Sequence, residues 1–284
     1  ILNDNEIAAA YIGTPNDLHF DQSKKLISHD KHILCEKPLT VNLSQANDLK
    51  KFLDNKDKVL FNLVFEYRLI PAISKMKEIV SEGKLGNILQ FRLAYLHGSY
   101  AEEREETWRL QPKTGGALVD LGPHVIDLVN FLIGPIESVS GKMVSVMPGR
   151  KVDDISWVLC KTEDGVNGSI EVSRLSTGCT DDLRIEIHGT KGSLKWNLED
   201  LNFFKFFSKL NQDDGYKTIP YFSHPKDGAD FPPPKVSSGW LMAHIRTLYH
   251  FSKQITNPNY VDDRIATFED GFMVQKIIEK VKKA

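Results

Sequence analysis

The sequence predicts two parts in one chain of 284 residues: an α/β part with a parallel sheet at residues 1–65, and an α+β part with a large, mostly antiparallel sheet at residues 66–284. Three observations favour this division. Strands and helices alternate with short loops in the first part. Later strands are joined by glycine-containing hairpin turns. The length also suits two hydrophobic cores better than one.

The first part begins with a short apolar run at residues 7–12, which ends at the loop Gly13–Asn16. Short apolar runs bounded by glycine or proline are typical of strands buried on both faces, as in a parallel sheet. A helix to about Ser28 follows, then strands at 32–35 and 59–65. Between those strands, Asn42 and Gln45 resemble a capping box that opens a helix.

The second part begins after Pro71 with the apolar helix face Ile73, Met76 and Ile79, and continues with an alternating strand at 87–96. Pro123 is expected to kink or delay the next helix because proline lacks a backbone donor. The remaining predictions are a helix at 116–133, strands from about 138 with hairpin turns at 163–165 and 189–192, a long surface loop at 211–238, and helices at 239–255 and 267–281.

The composition is that of an ordinary globular protein, with 41% hydrophobic and 26% charged residues. The formal net charge of -2 gives no reason to expect a nucleic acid or an anionic membrane as partner. The longest apolar runs are short and interrupted, and no signal-peptide pattern is present. Three distant cysteines without a CxxC pair argue against a disulfide framework or a zinc site. We therefore expect a cytoplasmic protein without a metal ion.

Three side chains suggest acid–base chemistry. Asp120 and His124 are four residues apart and would share one helix face, and imidazole exchanges protons near neutral pH. Lys37 directly follows a buried-type strand, where open α/β sheets bind ligands. Each feature by itself also fits an ordinary role: a capping aspartate, a half-buried histidine and a solvated lysine.

Several segments taken together resemble the Gfo/Idh/MocA oxidoreductases, the family of glucose–fructose oxidoreductase and inositol dehydrogenase. The matching segments cover the chain in order: YIGTPNDLH at 11–19, KHILCEKPL at 31–39, WR at 108–109, GGALVDLGPHVID at 115–127 and ATFEDG at 266–271. The resemblance implies a Rossmann-type first domain, NAD or NADP as cofactor, and a sugar or polyol as substrate. It also implies a homodimer or homotetramer that assembles through the large sheet.

The family's motifs carry functional roles onto particular residues here. The resemblance implies that Lys37, Asp120 and His124 are catalytic. His124 would accept the hydroxyl proton, Lys37 would stabilise the alkoxide, and Asp120 would orient and tune the other two. The positions implied to bind the cofactor are Thr14, Pro15, Asn16, His19, Glu36, Lys37, Trp108 and Arg109. Taken alone, His19 has the pattern of a surface helix residue.

One departure from the family pattern concerns the cofactor. No G-x-G-x-x-G occurs in the sequence, and its first residue is Ile1 rather than methionine. We therefore expect a truncated Rossmann domain lacking about 60 to 70 residues, two strands and a helix, and cofactor binding weakened by that loss.

Three other functions stay open beside a sugar or polyol dehydrogenase. The first is a sugar-modifying enzyme that oxidises its substrate transiently for elimination or glycoside cleavage. The second is a non-catalytic sugar-binding or regulatory homologue, and the third is an inactive remnant. Substrate specificity would depend on the loops at 96–107 and 211–238.

Overall fold

The structure is a computed structural model that describes residues 1–54, 56–102, 107–212, 214–228 and 235–284. Its first sheet has three parallel strands in the order β1-β2-β3, which confirms the predicted α/β start. The elements of this part are β1 (Ala9–Ile12), α1 (His19–Ser28), β2 (His32–Glu36), α2 (Leu43–Leu53) and β3 (Phe61–Val64).

The start of α2 confirms half of the predicted capping box. The Asn42 side chain accepts a hydrogen bond of 3.0 Å from the backbone N–H of Gln45. The reciprocal bond is not formed, because the buried Gln45 Oε1 has no hydrogen-bond partner among the described residues. Asn42 therefore acts as a simple N-cap.

The second sheet is large and mostly antiparallel, as predicted. Within the described residues it has eight strands in the order β11-β10-β9-β8-β4-β7-β6-β5, and only β4 and β7 pair in parallel. These strands are β4 (Ile88–Leu96), β5 (Ile136–Val144), β6 (Ile155–Thr162), β7 (Asn167–Ser173), β8 (Asp182–Gly189), β9 (Gly192–Asn197), β10 (Phe203–Ser208) and β11 (Lys217–Pro220). Both predicted hairpin turns are confirmed, between β6 and β7 and between β8 and β9.

The helices of the second part mostly follow the predictions, with one correction. They are α3 (Pro71–Ser81), α4 (Ala117–Asp120), α5 (Gly122–Leu132), α6 (Leu241–Thr256) and α7 (Phe268–Lys283). The single helix predicted for 116–133 is wrong, because the chain forms α4 and α5 with a break at Leu121. Pro123 lies in the first turn of α5, where its missing N–H costs no helical hydrogen bond. Asp120 and His124 consequently lie on different helices.

The long surface loop predicted at 211–238 is confirmed in its location, since most of its described residues are exposed, but wrong in its lack of regular structure. Residues 213 and 229–234 of this prediction lie outside the described residues. The described part of this range contains β11 and the 3₁₀ helix Pro225–Asp227, and Asp227 is fully buried. Its carboxylate pairs with Arg246 and Arg264, at 2.8 and 2.9 Å. Asp227 is thus a polar residue of this segment whose charge is paired inside the protein.

The C-terminal segment returns to the first sheet. Thr267 and Asp270 form a capping box that opens α7, and the Leu63 N–H donates to the Ala266 carbonyl at 3.0 Å. Phe61 and Phe268 pack edge to face. Helix α7 therefore contacts β3, and α6 packs on the same sheet through Phe251, which clusters with Leu34 and Val64. Within the described residues, none of the helices is long and apolar enough to cross a membrane.

Candidate active site

The carboxyl ends of the three parallel strands meet at one edge of the first sheet, where α/β proteins bind ligands. The loop Gly13–Asn16 follows β1, the pair Glu36–Lys37 ends β2, and the 3₁₀ helix Glu66–Leu69 follows β3. Helices α4, α5 and α6 of the second part add side chains to the same place. The site is therefore built from both parts of the chain.

Lys37 lies between the two parts and contacts Asp120. Its ammonium group donates to the Asp120 carbonyl at 2.8 Å and to Oδ1 of the same residue at 3.3 Å. Burial, aided by the nearby Arg174 and Arg109, lowers the pKa of Lys37 to about 8. An ammonium group has three donors, so a third N–H is left for a ligand.

The carboxylate of Asp120 is almost fully buried and is compensated by three cations. Besides Lys37, Arg109 Nε donates to Oδ2 at 3.1 Å, and Arg174 donates to the same oxygen. Burial lowers the pKa of Arg174 to about 10. Sequence analysis missed Arg174, because it follows β7 without any motif around it. Asp120 thus contacts Lys37, one of the two residues that it was predicted to orient.

His124 is buried and faces Glu66, not Asp120. Its Nδ1 lies 3.9 Å from Glu66 Oε2, and no hydrogen bond joins Asp120 to His124 in the described part of the chain. The prediction that Asp120 orients His124 is therefore wrong, since the helix break at Leu121 separates the two side chains. Burial, then the neighbouring Lys37, lowers the pKa of His124 well below its usual value, so the imidazole is neutral at pH 7.

Glu66 is a further ionisable group of the site that sequence analysis missed. It is 3% exposed, and burial and the neighbouring Glu36 raise its pKa to about 8. Its second oxygen, Oε1, lies 3.8 Å from His244 Nε2. The signal that singled out Lys37, a charged residue just after a buried strand, applies equally to Glu66.

The loop after β1 is fixed by buried side chains. Asn16 Nδ2 donates to the Thr114 carbonyl at 2.9 Å, while the buried Asn16 Oδ1 lacks a hydrogen-bond partner among the described residues. The two ring nitrogens of His19 lie 2.8 Å from the Pro38 carbonyl and 3.0 Å from the Thr14 carbonyl. The surface location expected for His19 is wrong, because the ring joins two loops inside the protein. Its contact with a cofactor stays a prediction, as does that of the exposed Pro15.

The other predicted cofactor residues lie on the same side of the sheet. Glu36 accepts a hydrogen bond of 2.6 Å from the Tyr11 hydroxyl. The Arg109 guanidinium stacks on the Trp108 ring at 4.2 Å from its centroid while also donating to Asp120. The structure therefore brings Lys37, Asp120, His124 and Arg109 together at one site.

The pair Gly115–Gly116 lets the chain pass closely beside two neighbours: Gly115 lies against the Arg109 backbone and Gly116 against Asp153. Gly116 has a φ of +104°, and a Cβ on it would lie 2.1 Å from Asp153 Oδ1. That carboxylate also caps α4, since its Oδ2 accepts from the Leu118 N–H at 2.8 Å. The two glycines thus set the position from which Asp120 projects.

We expect the change Gly116→Ala to lower the free energy of unfolding by about 1–3 kcal/mol or more, because alanine tolerates neither this backbone conformation nor the contact. Urea denaturation measures the effect. Gly215→Ala is the matched control, since its Cβ would enter open space. Equal stability of the two variants would contradict this reading of the glycine pair.

Comparison with known proteins gives matches over most of the chain. The model of the Gfo/Idh/MocA oxidoreductase family's NAD-binding Rossmann fold matches residues 1–63, and that of the Gfo/Idh/MocA C-terminal domain matches residues 73–195. Levoglucosan dehydrogenase of Pseudarthrobacter phenanthrenivorans is 29% identical, over 99% of this chain and 78% of the relative. Glucose-6-phosphate 3-dehydrogenase of Bacillus subtilis is 28% identical, over 94% of this chain and 76% of the relative.

A solved structure agrees with the fold. The complex of levoglucosan dehydrogenase with NADH and levoglucosan superposes with a TM-score of 0.93 at 29% identity, covering 100% of this chain and 79% of the other.

Proposed function

The chain belongs to the Gfo/Idh/MocA family of NAD-binding oxidoreductases, and from this premise we propose that it transfers a hydride between nicotinamide and a hydroxyl carbon of a sugar or polyol. The observation that carries the proposal is the meeting of Lys37, Asp120 and His124 at the carboxyl end of the parallel sheet. The relatives whose names specify a sugar substrate support the choice of substrate class.

The residues at this sheet edge fit the nicotinamide end of the cofactor. Glu36 offers a half-buried carboxylate. Among the residues that the structure describes, the buried amide oxygen of Asn16 has no partner, and the Lys37 ammonium keeps one N–H unpaired. We propose that the loop Gly13–Asn16 and the pair Glu36–Lys37 hold the nicotinamide and its ribose. When bound, the cofactor supplies the hydride acceptor in oxidation and the hydride donor in reduction. The sequence offers no glycine-rich motif to which pyrophosphate binding could be assigned.

The side chains of the site have separate roles in the reaction. A secondary alcohol loses its hydroxyl proton as its carbon gives up a hydride, so a base must lie at the oxygen. His124 is neutral at pH 7 and can take that proton. The Lys37 ammonium stabilises the negative charge that develops on the oxygen. Asp120, compensated by Arg109 and Arg174, holds that ammonium in place.

His124 provides the test of this mechanism. We expect His124→Ala to lower kcat by about 10²–10⁴-fold, since the proton then has no positioned acceptor. Turnover is measured as NAD⁺ or NADP⁺ reduction with a set of substrates that includes levoglucosan, glucose 6-phosphate and inositols. His29→Ala, on the surface after α1, is the control and should retain full activity. Unchanged turnover in His124→Ala would exclude this residue as the base.

Product analysis separates the dehydrogenase from the other candidates. A dehydrogenase accumulates reduced cofactor and a keto sugar in equal amounts. An enzyme that oxidises its substrate only transiently releases an eliminated or cleaved sugar and no reduced cofactor. A regulatory homologue binds cofactor or sugar without forming either product.

We also propose a cytoplasmic homodimer or homotetramer that assembles through the large sheet. Trp157 and Leu159 on β6 are exposed large hydrophobic residues, which favours a covered face. The three cysteines carry free thiols, in keeping with a reducing compartment. Sedimentation velocity should give a mass of two or four chains, and a change of Leu159 to Lys should lower it. A monomeric wild-type protein would refute the assembly.

A further inference from the structure

The proposed base, His124, and two neighbouring residues each have a buried polar atom without a hydrogen-bond partner among the described residues. These atoms are His124 Nδ1, Glu66 Oε2 and His244 Nε2. They belong to a single cluster. His124 Nδ1 lies 3.9 Å from Glu66 Oε2, and His244 Nε2 lies 3.8 Å from Glu66 Oε1. Buried polar groups are rarely left unpaired, so each such atom calls for an explanation. The three atoms are potential partners for one another: if each imidazole moved slightly closer to the Glu66 carboxyl group, all three would be hydrogen-bonded.

The surrounding residues hold the three side chains in this order. The His124 ring packs edge to face against Tyr67 and Tyr95, with centroids 4.9 and 5.8 Å away. His244 packs against the Trp240 ring at 4.3 Å. Glu66 lies between the two imidazoles, at the start of the 3₁₀ helix after β3. Two fixed rings therefore face the two oxygens of one carboxyl group.

We propose that Glu66 is the positioning residue of the base: its carboxylate accepts a hydrogen bond from Nδ1–H of His124 and another from Nε2–H of His244. Holding the proton on Nδ1 leaves the Nε2 lone pair of His124 free for the substrate hydroxyl. The inference deepens the proposed function and rests on it. It gives to Glu66 the orienting role that the sequence suggested for Asp120.

The proton balance is simple. In oxidation, the hydroxyl O–H bond breaks and the proton binds His124 Nε2, while the Nδ1 proton moves to Glu66 Oε2. His124 stays neutral and Glu66 becomes a carboxylic acid. In reduction the same protons move in the opposite direction. The raised pKa of Glu66, caused first by burial, makes it able to hold this proton near neutral pH.

The ionisation of Glu66 depends on groups from every element around it. Glu36 and Lys37 act from the end of β2, Asp127 and His124 from α5, and His244 from α6. Oxidation requires the carboxylate, so kcat/KM for oxidation should rise with pH as Glu66 loses its proton near pH 8. With a neutral amide in its place, the proposed base His124 itself sets the acid side of the profile. We expect the rise of kcat/KM with pH to move below pH 6.5 in Glu66→Gln, because the pKa of His124 is lowered.

The deciding measurement is NMR of the full chain, without added cofactor and with ¹⁵N-labelled histidine, because the ring shifts report which nitrogen carries the proton. In the wild type we expect His124 to carry it on Nδ1 at high pH, and the signals of His124 and His244 to sense a titration near pH 8. Lys37 also has a pKa of about 8, so the assignment is made in Lys37→Met, where the step should remain at pH 8 or above. Adding Glu66→Gln to that variant should abolish the step. In His244→Phe it should move to higher pH, since the carboxylate loses a donor. Glu269→Gln, at an exposed carboxylate, is the control and should match the wild type.

Kinetics of the same variants complete the test. Glu66→Gln should lower kcat by about 100-fold or more and change KM little, because the base is mispositioned while substrate contacts remain. His124 protonated on Nε2 at high pH in the wild type, or a titration step that persists when Glu66→Gln is added to Lys37→Met, would overturn the inference. Absence of wild-type turnover would instead refute the proposed function, and the NMR result would still decide the role of Glu66.

Discussion

Replacing Lys37 with methionine should lower kcat by about 10²–10⁴-fold while leaving the fold intact. Methionine keeps much of the length of the side chain but has no charge and no donor, so the developing alkoxide loses its stabilising ammonium. On the alkaline side of its pH profile the wild-type activity should fall as Lys37 loses its proton, because its pKa is lowered to about 8. Together with the rise caused by Glu66 ionisation, this gives oxidation a narrow pH optimum near 8. The remaining activity of the variant should not show this fall at high pH.

The matched control is Lys56→Met, which removes a lysine that pairs with Asp30 on the surface. Its turnover and pH profile should equal those of the wild type. Circular dichroism and thermal unfolding of Lys37→Met verify that the variant is folded. A folded variant with wild-type kcat and an unchanged fall in activity at high pH would show that Lys37 takes no part in the chemistry.

Replacing Asp127 with alanine should cost about 3–5 kcal/mol of the free energy of unfolding. Asp127 lies on α5, one turn after His124, and accepts two hydrogen bonds from Arg68, at 2.8 and 2.5 Å. Arg68 is fully buried and also contacts Asp270 at 2.9 Å, at the start of α7. Without Asp127, the partly exposed Asp270 is the one anionic partner left to this buried guanidinium in the described part of the chain.

Chemical denaturation followed by fluorescence measures this loss. Asp48→Ala provides the comparison, since its carboxylate pairs with Lys51 on an exposed helix face and should contribute little. Asp127→Asn should be less damaging than Asp127→Ala, because an amide oxygen can still accept from Arg68. A loss below about 1 kcal/mol in Asp127→Ala would mean that the pair is replaced by other contacts.

The site could be predicted from sequence in part. Position after a buried strand makes Lys37 a candidate, and four-residue spacing does the same for Asp120 and His124, but their catalytic roles come from the resemblance to the family. The relation between them was misjudged, since four-residue spacing implies one helix face only where the helix is continuous. Pro123 and the break at Leu121 remove that condition. Glu66, Arg174 and His244 lie in no matching segment and come from distant parts of the chain.

The sequence by itself determined the class of each part. Short apolar runs with intervening helices specify a parallel sheet, and alternating strands with glycine turns specify an antiparallel one, because burial periodicity and turn geometry are local properties. Only the tertiary structure decided which charged groups share the site. Glu66 faces His124 and His244 because α5 and α6 pack beside the end of β3, and the ionisation of buried groups depends on such distant neighbours.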